Sequence, residues 1–135
     1  MMMIKGKLNG NQRAAMQFFA DKLLSKQLQR YILVHVVLTK HIENFGEIEV
    51  TDYNSKDVPR CFKLYVKKDI GDDEILKTLA HEMVHVKQYC KRELNEEMTK
   101  WQGKPYDIRN VDYFDRPWEI EAHTLGDNLV EQYEF

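Results

Sequence analysis

Between positions 11 and 30 apolar side chains return every three or four residues: Ala15, Phe18, Phe19, Leu23, Leu24 and Leu28. That spacing predicts an amphipathic helix over Asn11–Arg30, with Asn9 or Asn11 available to cap its start. The period then changes. Tyr31–Thr39 is rich in Val, Ile and Leu, the composition of a buried strand. Glu47–Tyr53 alternates polar and apolar residues, and Arg60–Lys67 does the same through Phe62, Leu64 and Val66. The turn-forming stretch Asn54–Pro59 separates these two segments, which predicts a hairpin or a three-stranded meander.

Gly71-Asp72-Asp73-Glu74 ends the strand pattern and opens a second helix, with acidic residues where the helix dipole favours them. This helix is expected from about Asp73 to about Glu93. Its stripe of Leu76, Leu79, Ala80, Met83, Val86 and Cys90 suits a core, and Thr78, His81 and His85 lie on a neighbouring face. Asn95–Arg116 reads mostly as loop, with a short hairpin about Gln102-Gly103. Asp115 and Pro117 open a last helix that continues to about Gln132, with Trp118, Ala122, Leu125 and Leu129 as its apolar stripe. A helix, three strands and two helices make an α+β layout, in a single domain over residues 1–135.

Composition narrows the possibilities without naming a function. Hydrophobic residues are 43% and charged residues 31%, which argues for a folded chain rather than a disordered one. The formal net charge of −2 supplies no field to draw the whole chain onto nucleic acid or an anionic membrane. Lys67-Lys68 and Lys91-Arg92 are too sparse to make a nucleic-acid surface. The longest apolar run, around Tyr31–Leu38, is interrupted by His35 and too short to cross a bilayer. Met1–Asn11 is polar and lacks the apolar core of a signal peptide. Cys61 and Cys90 are isolated, so the expectation is a cytoplasmic protein with two free thiols and no membrane partner.

One motif carries chemistry. The second long helix contains His81-Glu82-Met83-Val84-His85, an H-E-x-x-H pattern. Residues i and i+4 share a helix face, so both imidazoles can reach one ion. Zinc accepts imidazole nitrogen at about 2.0–2.1 Å in a tetrahedral site. Glu82 sits beside the pair, placed to take a proton from a water on that ion rather than to bind it. A catalytic zinc needs a third protein ligand. Glu119, Glu121 and His123 are the downstream candidates, and periodicity alone does not choose among them. Glu119 shares its face with His123 and with Gly126, which has no side chain to obstruct a crossing helix.

His81-Glu82-x-x-His85 followed by Glu119-x-Glu121-Ala122 resembles the gluzincin class of zinc metallopeptidases, above all its compact minigluzincin members, and the small layout is similar to SprT-like metallopeptidases. The resemblance spans roughly Ile70 to Val130. It implies a zincin-like minimal fold, one zinc ion held by His81, His85 and Glu119, and a peptide or protein substrate cleaved with Glu82 as general base. Position 123 departs from the pattern, because gluzincins commonly carry an aspartate there, whereas SprT-like proteins use a third histidine as ligand. The resemblance also implies that the sheet edge nearest the cleft pairs with extended substrate, and it assigns that edge to Arg60–Lys67. Tyr106, Tyr113 and His123 are candidate donors to developing oxyanion charge. Trp101–Tyr106 is either a flap over the cleft or a loop pinned by aromatic packing. Two rival readings are a weakly active or inactive zincin-fold module that binds a partner, and a zinc hydrolase acting on a non-peptide amide.

Overall fold

The Asn9 side chain accepts from the Gln12 backbone amide (2.7 Å), and the Gln12 side chain accepts from that of Asn9 (3.0 Å). This reciprocal cap starts the first helix. In the computed structural model, which describes residues 1–134, α1 covers Gly10–Leu23 and does not reach Arg30. The backbone turns extended at Leu24, and Ser25 caps a separate short helix, α2 (Lys26–Gln29). Buried Gln29 accounts for the break. Its amide donates to the Ala20 (3.3 Å) and Leu24 (3.1 Å) carbonyls at the end of α1, fixing the turn from inside.

The sheet has four strands in the order β1-β2-β4-β3. β1 (Met3–Lys5) lies in the stretch read from sequence as a polar terminus, and it pairs parallel to β2 (Leu33–Thr39). β2 pairs parallel to β4 (Pro59–Lys67), and β3 (Gly46–Tyr53) is antiparallel to β4. The expected hairpin is therefore present as β3–β4, but there is no meander, because β2 lies against β4.

The assignment of Arg60–Lys67 to the sheet edge is corrected: β4 is interior and β3 is the edge. Burial explains the choice. Phe62, Leu64 and Val66 of β4 are fully buried under the helices. In β3, Ile48 and Val50 are only half-buried and alternate with exposed Glu47 and Glu49, charges that suit an edge. The Lys67 amide donates to the Phe45 carbonyl at 2.7 Å. Alternation along an antiparallel pair then leaves the backbone polar groups of Gly46, Ile48 and Val50 facing the free edge.

The long helices cover one face of this sheet. α3 (Asp72–Cys90) is the centre of the core, with Leu76, Leu79, Ala80, Met83, Val86 and Cys90 all buried. It ends before Glu93 because Arg92 adopts a left-handed φ of 57°, while the Arg92 and Glu93 amides return to the Tyr89 and Gln88 carbonyls. The hairpin at Gln102-Gly103 forms as β5 (Lys100–Trp101) and β6 (Lys104–Pro105), with both turn residues at positive φ. Asp115 closes a 3-10 turn over Tyr113–Asp115, and Pro117 is the first residue of α4 (Pro117–Glu134). The result is an α+β fold in which no described helix is long and apolar enough to cross a membrane. Cys61 and Cys90 are both free.

α3 and α4 cross closely at Gly126. A β-carbon there would lie 3.2 Å from the His81 backbone nitrogen and 3.3 Å from its α-carbon. Substituting alanine gains about 1 kcal/mol of helix propensity but overpacks a backbone contact, at a cost of about 1–3 kcal/mol. Gly126→Val adds bulk without that gain in propensity. The thermal midpoint is expected to fall for Gly126→Ala and further for Gly126→Val. A rise in both would show that the helices do not meet at this residue.

Candidate metal centre

α3 presents His81 and His85 one turn apart, and the first turn of α4 brings Glu119 against them. His81 Nε2 lies 3.1 Å from Glu119 Oε1, and His85 Nε2 lies 3.2 Å from Glu119 Oε2. The two Nε2 atoms are 3.2 Å apart. His85 and Glu119 are buried, at 5% and 2% exposure, so the carboxylate cannot be compensated by bulk water. His81 opens onto a cleft.

The donor set fits zinc. Tetrahedral bonds of about 2.0–2.1 Å imply ligand–ligand separations of about 3.3–3.4 Å, and the three separations here, 3.1, 3.2 and 3.2 Å, fall just below that. Two imidazoles and a carboxylate, leaving a fourth position open, are also the composition of a catalytic rather than a structural zinc site. Among the described residues, His81, His85 and Glu119 are the group of potential ligands that converges in this way, with donor atoms within 4.8 Å of one another.

The other candidates are sorted by the same geometry. Glu121, on the opposite side of α4 from the cleft, accepts from Lys87 Nζ (2.9 Å) and Gln88 Nε2 (3.0 Å) and lies outside the ligand group. His123 is exposed and packs at a tilt against His81, with ring centroids 4.4 Å apart and planes inclined by 60°, so it borders the site without joining the ligand group. Tyr113 lines the cleft beside Glu119; burial and then the Glu119 charge push its phenol up. Tyr106 is the candidate that does not reach the cleft. Its ring packs edge-on against Trp118 at 5.1 Å, and Trp101 lies 6.0 Å from the same ring. The Trp101–Tyr106 segment is thus a pinned loop, and aromatic packing is what draws Tyr106 away.

Glu82 is 4% exposed and reaches the cleft floor, where its Oε2 lies 3.0 Å from the position a β-carbon on Gly46 would occupy. Burial raises its carboxyl above the usual range, against an opposing pull from His85 and His81. Glu119 responds in the opposite sense: burial raises it, but hydrogen bonds from His81 and His85 outweigh that and hold it well below the usual range. Burial on its own lowers the His85 imidazole; the hydrogen bond to Glu119 and the charges of Glu82 and Glu119 outweigh it, pushing His85 up to about 9. The cleft, about 350 Å³, has Phe45 and Phe114 at its mouth and Thr78 and Gly126 in its walls.

Two features of the centre were not anticipated from sequence. Gly46 abuts Glu82 across the sheet–helix boundary, and no local pattern signals such a contact. Buried Gln88 approaches His85 Nδ1 with its Oε1 at 2.7 Å. Its position three residues after His85, on the same helix face, was a readable signal. Compared with known proteins, the chain matches no family model, no curated protein and no solved structure.

Removing Glu119 is expected to abolish high-affinity zinc binding, whereas His123→Ala should retain it; metal analysis of the purified variants checks both. In the metal-free protein the raised His85 pKa contributes stability that is present below about 6.5 and lost as pH rises through about 9. Zinc bound through His85 would have to displace that proton, so its affinity should climb with pH and flatten above about 9. Chelator competition across that range reads the slope, and a pH-independent affinity would contradict His85 as ligand.

Proposed function

We propose that the protein is a zinc-dependent metallopeptidase of gluzincin type, with one zinc ion held by His81, His85 and Glu119 and Glu82 as general base. The observation that carries this reading is the convergence of three ligand-type side chains beside a buried carboxylate that belongs to none of their hydrogen bonds. A structural zinc has no use for such a base. The likeness of His81-Glu82-x-x-His85 and Glu119 to the gluzincin pattern supports the same conclusion. So does the layout, with an antiparallel edge strand over the motif helix and a ligand helix crossing it.

Zinc, when bound, lowers the pKa of a water ligand and polarises the substrate carbonyl. The chain supplies everything else. The β3 edge offers the backbone groups of Gly46, Ile48 and Val50 to an extended peptide, which would add a strand to the sheet. Glu82 accepts a proton from the attacking water as the new C–O bond forms. It then passes that proton to the amine nitrogen as the C–N bond breaks. Tyr113 and His123, on the cleft wall, are the donors toward charge developing on the carbonyl oxygen. The exposed Phe45 and Phe114 at the mouth would equally serve a module that binds a partner without cleaving it, so hydrolysis itself is the discriminating measurement.

With denatured protein or a peptide library as substrate, chelator-sensitive cleavage is expected from the wild type. Glu82→Gln should keep its zinc and lose activity by about a hundred- to ten-thousandfold, the range that general base catalysis contributes. Full activity in the Gln variant would remove Glu82 from the mechanism. Zinc binding with no cleavage of any substrate by the wild type would favour the binding module.

A further inference from the structure

We infer that Gln88 is a positioning residue for the metal centre, which by one hydrogen bond selects the His85 nitrogen that is free to bind metal. This rests on the metal-site reading above and concerns a residue that reading does not use.

Gln88 is fully buried, so both ends of its amide must find partners inside the protein. Its Nε2 donates to the Trp118 carbonyl and to Glu121 Oε1, each at 3.0 Å. Both of those atoms are acceptors only, so the amide cannot be reversed without setting oxygen against two oxygens. Gln88 Oε1 therefore faces His85 Nδ1, at 2.7 Å. An acceptor at that distance requires a hydrogen on Nδ1, which leaves Nε2 as the nitrogen with a lone pair for a metal. Nε2 is also the atom that points at His81 Nε2 and Glu119 Oε2.

The orientation is secured from further out. Lys87 Nζ sits between Glu121 Oε1 and Glu93 Oε1, 2.9 Å from each, and pins the carboxylate that pins the amide. Trp118 and Glu121 flank Glu119 on α4. Gln88 thus ties the tautomer of one ligand to the helix turn that delivers another. A different role is conceivable for the same contacts, that of a clamp between α3 and α4, and the two roles respond differently to substitution.

Gln88→Met keeps the length but neither accepts nor donates, whereas Gln88→Glu still accepts from Nδ1–H and has no hydrogens for Trp118 and Glu121. Zinc affinity by chelator competition on the full chain is expected to fall about ten- to a hundredfold in the Met variant and to stay within about threefold of wild type in the Glu variant. Thermal unfolding of the metal-free protein should drop in both. Wild-type affinity in Gln88→Met, or an equal loss in both variants, reduces Gln88 to a clamp and overturns the inference. Nitrogen-resolved NMR of the zinc-loaded wild type needs no variant. It should show His85 protonated on Nδ1 and metallated on Nε2, and the reverse assignment overturns the inference while leaving the metal site standing. A wild type that binds no zinc overturns the metal site itself, and this inference with it.

Discussion

A carboxylate as enclosed as that of Glu119 needs positive charge within bonding distance, and the architecture around it supplies a place for one. The close crossing of α3 and α4 makes this possible. With glycine at position 126 the backbone of α4 comes against that of His81, and the first turn of α4 can then deliver Glu119 between two imidazoles. A bulkier residue would hold the helices apart, and the three donor atoms would no longer share one centre. Neutral imidazoles with ionised Glu82 and Glu119 give a site charge of −2, the sum of two carboxylates, which one divalent ion would cancel. A proton on His85 cancels half of it, and proton and metal therefore compete for the same nitrogen.

Periodicity read the two long helices well because each buries a stripe against a core, and burial is what periodicity encodes. The α3 stripe from Leu76 to Cys90 is buried throughout, and so are Trp118, Ala122 and Leu129 on α4. The break at Leu24 escaped notice because the apolar spacing continues across it. What interrupts the helix is the side-chain amide of Gln29, a tertiary contact. β1 was missed because three residues are too few to show a period, and the nearby lysines mask the apolar run Met1–Ile4; they become a strand by completing the parallel ladder of β2. The edge strand was misassigned for a related reason. Alternation identifies strands, but the order in which they pair depends on which one the helices cover.

The candidate site was legible to a different depth at each shell. His81, Glu82 and His85 were fixed by spacing on one helix, where geometry follows from sequence. The proposed third ligand lies on another helix, and choosing among Glu119, Glu121 and His123 required knowing how the two helices rotate against each other. Glu121 proves to serve the site from behind, through Lys87 and Gln88. A glutamine three residues after a metal-type histidine is a pointer on the helix itself, and its neighbours on α4 show which way its amide is turned.

Glu82 and Glu119 show why burial alone does not set a carboxyl group's role. Both are almost fully enclosed, and burial raises both. Glu119 faces two imidazoles that hydrogen-bond its charged form, so it stays ionised and acts as a fixed anion. Glu82 points past the same imidazoles toward Gly46 and the cleft, feels them only as distant charges, and stays raised. A carboxyl whose pKa lies above the ordinary range is a better proton acceptor when ionised and a better donor once protonated, which is what a group that must take a proton and return it requires. The proposed division of labour between ligand and base thus follows from which imidazole nitrogens each carboxylate can touch. That was decided by the one-turn spacing of His81 and His85 on one helix and the glycine crossing that sets Glu119 on the other.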